Sequence, residues 1–436
     1  MSVEKAEISA GKYKLHALEI INFAGEVVDV SFLMDKLEVV ESIDRLFATY
    51  TFTIVDGRNI LEDYVFSGNE KIKLVILKKD SPGGGFKTLE KELVITGVKD
   101  FSRPSNEAQV WKMTATGEAA FASTCKRVSR SYKGVYLTDI IGSLFSEIQH
   151  KDGLSIEDNS AEGNFKMVLP NYTVNYLIRM LLNKAQKING TPFYFFETLW
   201  EKHKLNSYEN MVAKGPVDTY KLLTRDSTKQ ITEENFDKNR TRIRSIDSNI
   251  GASHFEGIAT GAYFSRTQQL DYATKEYVYN DYSILAEGPS LPKLDKDHIL
   301  DPGFTISNKA LSDYKDARQY YISQNTLAFE EGVDNLHNRY EPSVGKKGMI
   351  VNNQYSITHN VLLHGDTRLY CGETLELDIP PATDPEDIAE ITRDDLLSGK
   401  FLITAVVHIF DKEGNYGQRV SVRKDAINFA LLQAKY

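Results

Sequence analysis

The sequence feature that most constrains the fold is an internal repeat between two stretches near opposite ends of the chain. In each copy a segment after a glycine is followed by an Ile-Thr strand and a third strand, at 68–74, 93–98 and 110–113 and again at 372–377, 401–406 and 418–421. Thr96 and Trp111 lie 15 positions apart, as do Thr404 and Arg419. A duplicated unit leaves such a recurring order. We therefore predict two related β modules, with chance similarity between alternating strands as the open alternative.

Strand patterns fill the first part of the chain. Tyr50, Phe52 and Ile54 alternate with threonines in segment 47–55, and this period of two is typical of a strand. Further strands are expected at 15–21, 26–33, 71–77, 89–101 and 108–116, with a short helix near 59–64. Because about seven strands can form a small barrel or sandwich, we assign residues 1–118 to a first tube-like β barrel.

The middle of the chain changes to helical periodicity. Apolar residues recur at helical spacing in segments 137–148 and 174–188, and the second segment follows a cap at Asn171 or Thr173. An aromatic strand is expected at 193–196. The pattern predicts an α+β middle domain at residues 119–224, whose apolar stripes form its core.

Strand patterns return in the last part of the chain, at 258–270, 275–282, 361–370, 374–379, 400–410 and 416–423. We predict a second tube-like β barrel formed by residues 225–289 and 341–436, interrupted by an insertion at 290–340. The predicted fold is mainly β with α+β: two antiparallel β barrels, a smaller α+β middle domain and the insertion. A chain of 436 residues exceeds what one hydrophobic core usually organises.

Charge and composition exclude several classes of protein. The net charge is −9 and no segment gathers five or more basic residues, so tight nucleic-acid binding is not expected. No apolar run approaches the length of a membrane span, and residues 1–10 lack the pattern of a signal peptide. We therefore expect a protein without a membrane span that is made in the cytoplasm.

Candidate cofactor and metal sites are few. The segment 83–88 contains three glycines followed by Phe86, Lys87 and Thr88, but the order of a phosphate-binding loop is absent, and a hairpin loop is the preferred interpretation. His359 and His364 lie five positions apart in strand-like sequence, which is not the helical spacing of two metal ligands. No cofactor or metal site is therefore predicted.

Candidate catalytic residues are equally few. Cys125 and Cys371 form no metal-type spacing, and Cys125 has no nearby histidine. The acidic pairs Asp394-Asp395 and Glu233-Glu234 are expected to be solvated, although two carboxylates at a fixed distance could serve a glycosidase. We predict no catalytic residue and no enzymatic activity, with a tail-associated cell-wall hydrolase as the alternative.

The order of these segments resembles a known family. The segments that carry the resemblance are 17–25, 38–53, 56–61, 66–70, 132–134, the helix around 140–141, 169–171, 193–196, 257–272 and 277–282. In this order they are similar to the baseplate hub proteins of contractile-tailed phages, the myovirus tail hubs, which are related to the hub part of type VI secretion spike proteins. The similarity spans most of the chain but contains no invariant motif.

The resemblance implies a homotrimer in the tail baseplate of a virion. Three chains with two similar barrels each would form a ring of approximate sixfold symmetry, able to join a hexameric tube to a trimeric spike. The expected partners are the central spike protein, the tail tube or tube-initiator protein and the baseplate wedge proteins, and DNA would pass through the channel without specific binding. Because residues 431–436 carry no needle-like repeats, the spike is expected to be a separate polypeptide. The hub of a type VI secretion or tailocin injection machine remains the alternative.

Overall fold

The structure is a computed structural model. It describes residues 11–22, 24–60, 70–79, 85–104, 108–148, 153–160, 165–222, 240–250, 254–298, 305–324, 336–354, 356–381 and 393–427. Most of the predicted helix near 59–64, the first two residues of the segment 83–88 and the pair Glu233-Glu234 lie outside these residues.

Seven antiparallel strands form the first β module. They are β1 (Lys14–Ile21), β2 (Val27–Asp29), β3 (Met34–Ser42), β4 (Thr49–Asp56), β5 (Lys71–Lys79), β6 (Phe86–Ser102) and β7 (Gln109–Gly117). Their order in the sheet is β3-β4-β7-β6-β5-β1-β2. The alternation predicted for β4 places Tyr50, Phe52 and Ile54 in the core, where they are fully buried with Trp111 and Met113 of β7.

An α+β domain follows the first module. Its elements are α1 (Glu118–Cys125), β8 (Arg127–Val135), α2 (Leu137–Ser146), β9 (Leu154–Ile156), β10 (Phe165–Thr173), α3 (Val174–Lys184), β11 (Phe193–Phe196), β12 (His203–Ser207) and α4 (Tyr208–Ala213). The apolar faces of α2 and α3 pack into one core with Phe193 and Phe195 of the aromatic strand. The α3 helix begins after Thr173, whose hydroxyl accepts a hydrogen bond from the Tyr176 N–H.

The rest of the chain contains strands with short helices between them. The strands are β13 (Thr219–Leu222), β14 (Arg242–Ile243), β15 (Ser245–Asn249), β16 (Phe264–Asp271), β17 (Tyr277–Ser283), β18 (Asp297–His298), β19 (Thr305–Ile306), β20 (Lys309–Ala310), β21 (Gln319–Gln324), β22 (Ile357–His364), β23 (Thr374–Asp378), β24 (Gly399–Asp411), β25 (Tyr416–Lys424) and β26 (Ala426–Ile427). The helices are α5 (His254–Thr260), α6 (Ile284–Glu287) and α7 (Leu336–Asn353). In the part of the chain that the structure describes, no helix is long and apolar enough to span a membrane.

The second β module repeats the strand order of the first. Its strands lie in the order β15-β22-β25-β24-β23-β13-β14, so each occupies the position of its counterpart in chain order in the first module. The two modules differ in the direction of one strand. The strand β13 runs parallel to its neighbours β23 and β14, whereas its counterpart β1 is antiparallel to both of its neighbours. The stretch between β15 and β22 contains a separate three-stranded sheet, β17-β16-β21, against which α7 packs.

The hairpin β6-β7 of the first module and the hairpin β24-β25 of the second, which we call the central hairpins, also share details of their pairing. Thr96 and Thr404 each sit at a register shift, and their hydroxyls donate to the carbonyls of Thr114 and Ser421, each at 3.1 Å. The hairpins differ by one residue, because Ile95 pairs with Ala115 and the equivalent Ile403 pairs with Val422. Pairing therefore makes Lys112 the counterpart of Arg419, so the equal spacing of 15 positions does not mark equivalent residues.

The prediction of a mainly β chain with antiparallel sheets is confirmed, but the two β barrels require a correction. Among the described strands no sheet closes on itself. The two modules instead join edge to edge in one 14-stranded sheet, because β3 pairs with β24 of the other module rather than with β2 of its own. The predicted strand at 258–270 begins only at Phe264, because residues 254–260 form α5. This strand and the one predicted at 275–282 belong to the separate sheet of β16 and β17, whereas β13 joins the second module.

Candidate functional site: the junction between the two β modules

The two modules meet where segment 36–42 of β3 pairs with segment 405–411 of β24, and we call these paired segments the module junction. The β24 strand is long enough to have two successive neighbours on one edge. Its first residues, 399–402, pair with β23, and β3 takes the same edge further along. The register is antiparallel, with Val406 opposite Glu41 and His408 opposite Val39. One continuous sheet therefore crosses from the first module to the second.

A buried carboxylate ties three parts of the chain together at this junction. Glu41 is fully buried, and one of its oxygens accepts the Cys371 N–H at 2.8 Å while the other accepts the Leu199 N–H at 2.6 Å. Nε2 of His408, which is also fully buried, lies 3.3 Å from the second oxygen. Cys371 belongs to the second module and Leu199 to the middle domain. A buried carboxylate needs such partners, because an unpaired one would be costly in the protein interior.

A second carboxylate joins the middle domain to the first module. Glu197 is almost fully buried, and its side chain accepts the Ala48 N–H at 2.9 Å. Nζ of Lys91 and Nε2 of His203 each lie 3.8 Å from one of its oxygens. Both glutamates therefore use their oxygens to fix backbone N–H groups from distant parts of the chain.

A tyrosine hydroxyl forms the other part of the polar network. The Tyr416 hydroxyl accepts hydrogen bonds from Trp200 Nε1 at 3.1 Å and from Gln418 Nε2 at 3.0 Å, and it lies 2.8 Å from Nδ1 of His408. The Tyr416 ring stacks on Phe410 with 4.4 Å between ring centroids. Residues from three parts of the chain thus share the core of the first module.

A partly buried ion cluster links the middle domain to the second module as well. Glu157 contacts Lys204 and Lys214, each at 2.9 Å, and Lys214 also lies 2.7 Å from Glu373. Burial alone would raise the pKa of Glu157, but the hydrogen bonds from Lys214 and Lys204 lower it. The cluster therefore holds its charges as ion pairs between elements.

The network has the chemistry of a structural connection. Its acceptors are already engaged by backbone and indole N–H groups, and burial raises the pKa of the Cys371 thiol well above its ordinary value. A thiol with a raised pKa is a poor nucleophile at neutral pH. What this arrangement does is hold two β modules and a middle domain in one fixed relation.

The two histidines considered as metal ligands both lie on β22, five positions apart along the strand. His359 is buried against Phe401, and its Nε2 lies 3.1 Å from the Leu397 carbonyl oxygen. Burial lowers the pKa of His359, and burial together with the charges of Arg244, Arg242 and Lys78 lowers that of His364 to about 4.

The remaining candidates also have structural positions. Cys125 is exposed at the end of α1, and Cys371 is buried at the module junction, so the structure does not bring the two thiols together. One carboxylate oxygen of Asp394 accepts the N–H groups of Leu396 and Leu397, which is a turn-stabilising pattern.

Four residues of this network, Glu41, Glu197, Trp200 and Tyr416, are not among the candidates expected from the sequence. A signal for Glu41 does exist, because the alternation of β3 points Leu37, Val39 and residue 41 to the same face. An acidic residue at an inward position of an otherwise apolar face predicts a buried, partnered carboxylate. The partners come from residues 199, 371 and 408, and no local pattern identifies them.

Comparison with solved structures finds the same overall fold in two tail proteins. The tail protein of Neisseria meningitidis MC58 aligns with a TM-score of 0.55 and 12% identity, over 95% of this chain and 98% of its own. The 43 kDa tail protein of prophage MuSo2 from Shewanella oneidensis aligns with a TM-score of 0.51 and 11% identity, over 94% and 99%. No protein-family profile matches the sequence, and no curated protein matches it. The resemblance to phage tail proteins is thus confirmed at the level of the fold.

Proposed function

We propose that the chain is a structural subunit of a baseplate hub, three copies of which form a ring with approximate sixfold symmetry. One observation carries this proposal: the strand order of the first module recurs in the second, and the module junction joins them in one sheet. Six similar modules around a threefold axis would present a near-hexagonal face. Such a ring adapts a hexameric tube to a trimeric spike.

This geometry and the fold shared with the two tail proteins support a proposal for the partners as well. One face of the ring would bind the tail tube or a tube-initiator protein, and the other would bind the central spike. Wedge proteins would attach around the outside. DNA would pass through the central channel without specific binding during ejection, and the subunit would be assembled in the host cytoplasm and remain in the virion baseplate without enzymatic activity.

The strand pairing supports domain boundaries that differ from those expected from the sequence. We place the first module at 11–117, the middle domain at 118–213 and the second module at 219–249 together with 357–427. The insertion then spans 254–353 and contains the sheet of β16, β17 and β21. An insertion between two paired strands can vary without breaking the sheet, which suits a peripheral contact.

The proposal is tested by the mass of the purified chain in solution. Size-exclusion chromatography with light scattering is expected to give the mass of three 49.3 kDa chains. A stable monomer at micromolar concentration would contradict the hub.

A further inference from the structure

Two strand edges in the structure have no neighbouring strand among the described residues, although the equivalent edges of the other module pair with each other. By strand order β3 corresponds to β15, and β24 corresponds to β6. Within the chain β3 and β24 form the module junction. Among the described residues, however, β15 pairs only with β22, and segment 97–102 of β6 pairs only with β7. The strand β5 covers β6 only as far as Val94.

Both open edges expose apolar side chains at positions whose counterparts at the module junction are buried. Val98 is 37% exposed, whereas its counterpart Val406 is fully buried. Ile250, directly after β15, is 52% exposed, whereas its counterpart Glu41 is fully buried. Phe101 at the end of β6 is 52% exposed. Open strand edges with exposed apolar residues are sites for pairing with another chain.

We propose that β15 of one chain pairs antiparallel with segment 97–102 of β6 in a second copy, so that the contact between copies repeats the module junction within each chain. This inference rests on the ring of the proposed function. It names the surfaces that close the ring. The contact is head to tail, because each chain offers β6 on one side and β15 on the other, and three such contacts complete a closed ring.

The repeat also fixes the register of the new contact. Ala115 and Val422 are equivalent across the central hairpins, and they pair with Tyr50 and His359. These two residues in turn pair with Val39 of β3 and Ser248 of β15. Position 39 therefore corresponds to position 248, and one step along each strand gives the equivalence of 40 with 249.

Each residue pair of the module junction can be replaced by its equivalent residues in β6 and β15, and this gives the residue pairs of the proposed contact. The pair Val407 and Val40 becomes Lys99 and the second copy's Asn249, and the pair Val406 and Glu41 becomes Val98 and Ile250. The register holds for 97–99, because the pairing of β6 with β7 shifts after Lys99.

The difference between the equivalent positions 41 and 250, a glutamate in the first module and an isoleucine in the second, agrees with this arrangement. Glu41 is buried with N–H donors from residues 199 and 371 and with His408 beside it. Two residues after Val98, β6 carries the exposed Asp100, whose carboxylate is paired with Lys112 at 2.9 Å. A carboxylate at position 250 would add a second acidic group to this edge, whereas an isoleucine packs against Val98.

Site-directed cross-linking tests the register. In a Cys125→Ser background, one preparation carries Lys99→Cys and the other carries Asn249→Cys. The two are mixed under conditions that allow exchange of chains and then treated with a short bis-maleimide. Because each chain has one exposed thiol, a product between the two types of chain reports a contact between copies. We expect this product to dominate, and Lys99→Cys mixed with the control Lys133→Cys on the middle domain to give none.

Substitution at the apolar pair gives a second readout. Ile250→Lys is expected to raise the concentration at which the ring dissociates by roughly tenfold or more, while the control Val168→Lys, at a 74% exposed position of β10, leaves it unchanged. If the chain is trimeric but neither the cross-link nor the dissociation appears, the proposed contact is wrong and the hub stands. If the unmodified chain is monomeric, the hub itself fails.

Discussion

At the scale of single residues, the junction depends on polar side chains that are buried and partnered. Glu41 lies in an apolar strand face and has no solvent contact, so its oxygens are satisfied only by N–H groups of Leu199 and Cys371 and by the nearby His408. Removal of one acceptor would leave a buried donor without a partner, and this costs more than the bond itself contributes.

Glu41→Gln replaces one acceptor oxygen with an NH₂ group while keeping the shape of the side chain. An NH₂ group would then face a buried N–H, so we expect the free energy of unfolding to fall by about 2 kcal/mol, measured by urea denaturation. The matched control is Glu38→Gln on the same strand, whose half-exposed carboxylate contacts Lys36. Exposed ion pairs contribute little, so this control should lower stability by less than about 1 kcal/mol. Equal effects of the two substitutions would contradict the role of Glu41.

The position of Tyr416 depends on a neighbouring glycine. A Cβ atom at Gly365 would overlap the ring of Tyr416, whose hydroxyl is held by Trp200 and Gln418. Gly365→Ala is therefore expected to lower the free energy of unfolding by about 1–3 kcal/mol through overpacking. Gly417→Ala is the control, because its Cβ would meet only the Leu363 carbonyl oxygen at an ordinary 3.6 Å. Unchanged stability together with an unchanged near-ultraviolet circular dichroism spectrum would contradict this dependence of the Tyr416 ring on Gly365.

His364 makes stability depend on pH. Its pKa is lowered to about 4 in the folded chain, first by burial and then by Arg244, Arg242 and Lys78, against an ordinary value of 6.5. The unfolded chain therefore binds the proton first as the pH falls. The contribution of the neutral ring is present above pH 6.5 and is lost between pH 6.5 and about 4.

His364→Gln should reduce this dependence. We expect the urea midpoint of the unmodified chain to drop more between about pH 7 and pH 5 than that of the variant. Parallel slopes for the two proteins would show that His364 is not responsible.

At the scale of secondary-structure elements, the covered and uncovered edges of strands decide which parts of the chain depend on each other. The edge of β3 is covered by β24, and the first module's core includes Phe410 and Tyr416 from the second module. The first module alone would therefore expose an edge and lose part of its core.

A fragment ending at Gly117 is accordingly expected to be poorly soluble, as judged by the soluble fraction after expression beside the full chain. Val40→Lys in that fragment places a charge on the uncovered edge and should raise the soluble fraction. A monodisperse, monomeric fragment without this substitution would contradict the edge argument.

Local patterns in the sequence predicted many elements but not how they pair. The aromatic strand at 193–196 is confirmed, and the helices predicted from Leu137 and Val174 begin at those residues. They end earlier than predicted, at Ser146 and Lys184, although Ile148 and Ala185 continue the apolar spacing and are buried just beyond the helix ends. Alternation and helical spacing are properties of short segments, so they carry this information directly.

Long-range pairing left no such signal. The β24 strand reads as an ordinary strand, and its division between β23 and β3 depends on residues more than 300 positions away. The four-residue strand β13 is too short for a periodic pattern, although Tyr220 is fully buried in the second module. The repeat was visible from the order of segments, whereas its true register required the pairing of Ile95 and Ile403.

At the scale of the whole molecule, the internal repeat relates the fold of one chain to the symmetry of the proposed ring. Two modules with the same strand order, fixed at an internal junction, allow three chains to present six similar surfaces. The buried groups at the junction connect the two modules, and in the proposed ring the open edges of β6 and β15 would provide the contact between copies. A protein built in this way can connect partners of sixfold and threefold symmetry.

Electron microscopy of the purified chain tests this relation most directly. End-on class averages are expected to show a ring of six similar densities around a central opening, with alternate densities related by threefold symmetry. A ring of three densities, or compact particles with the size of one chain, would contradict the account.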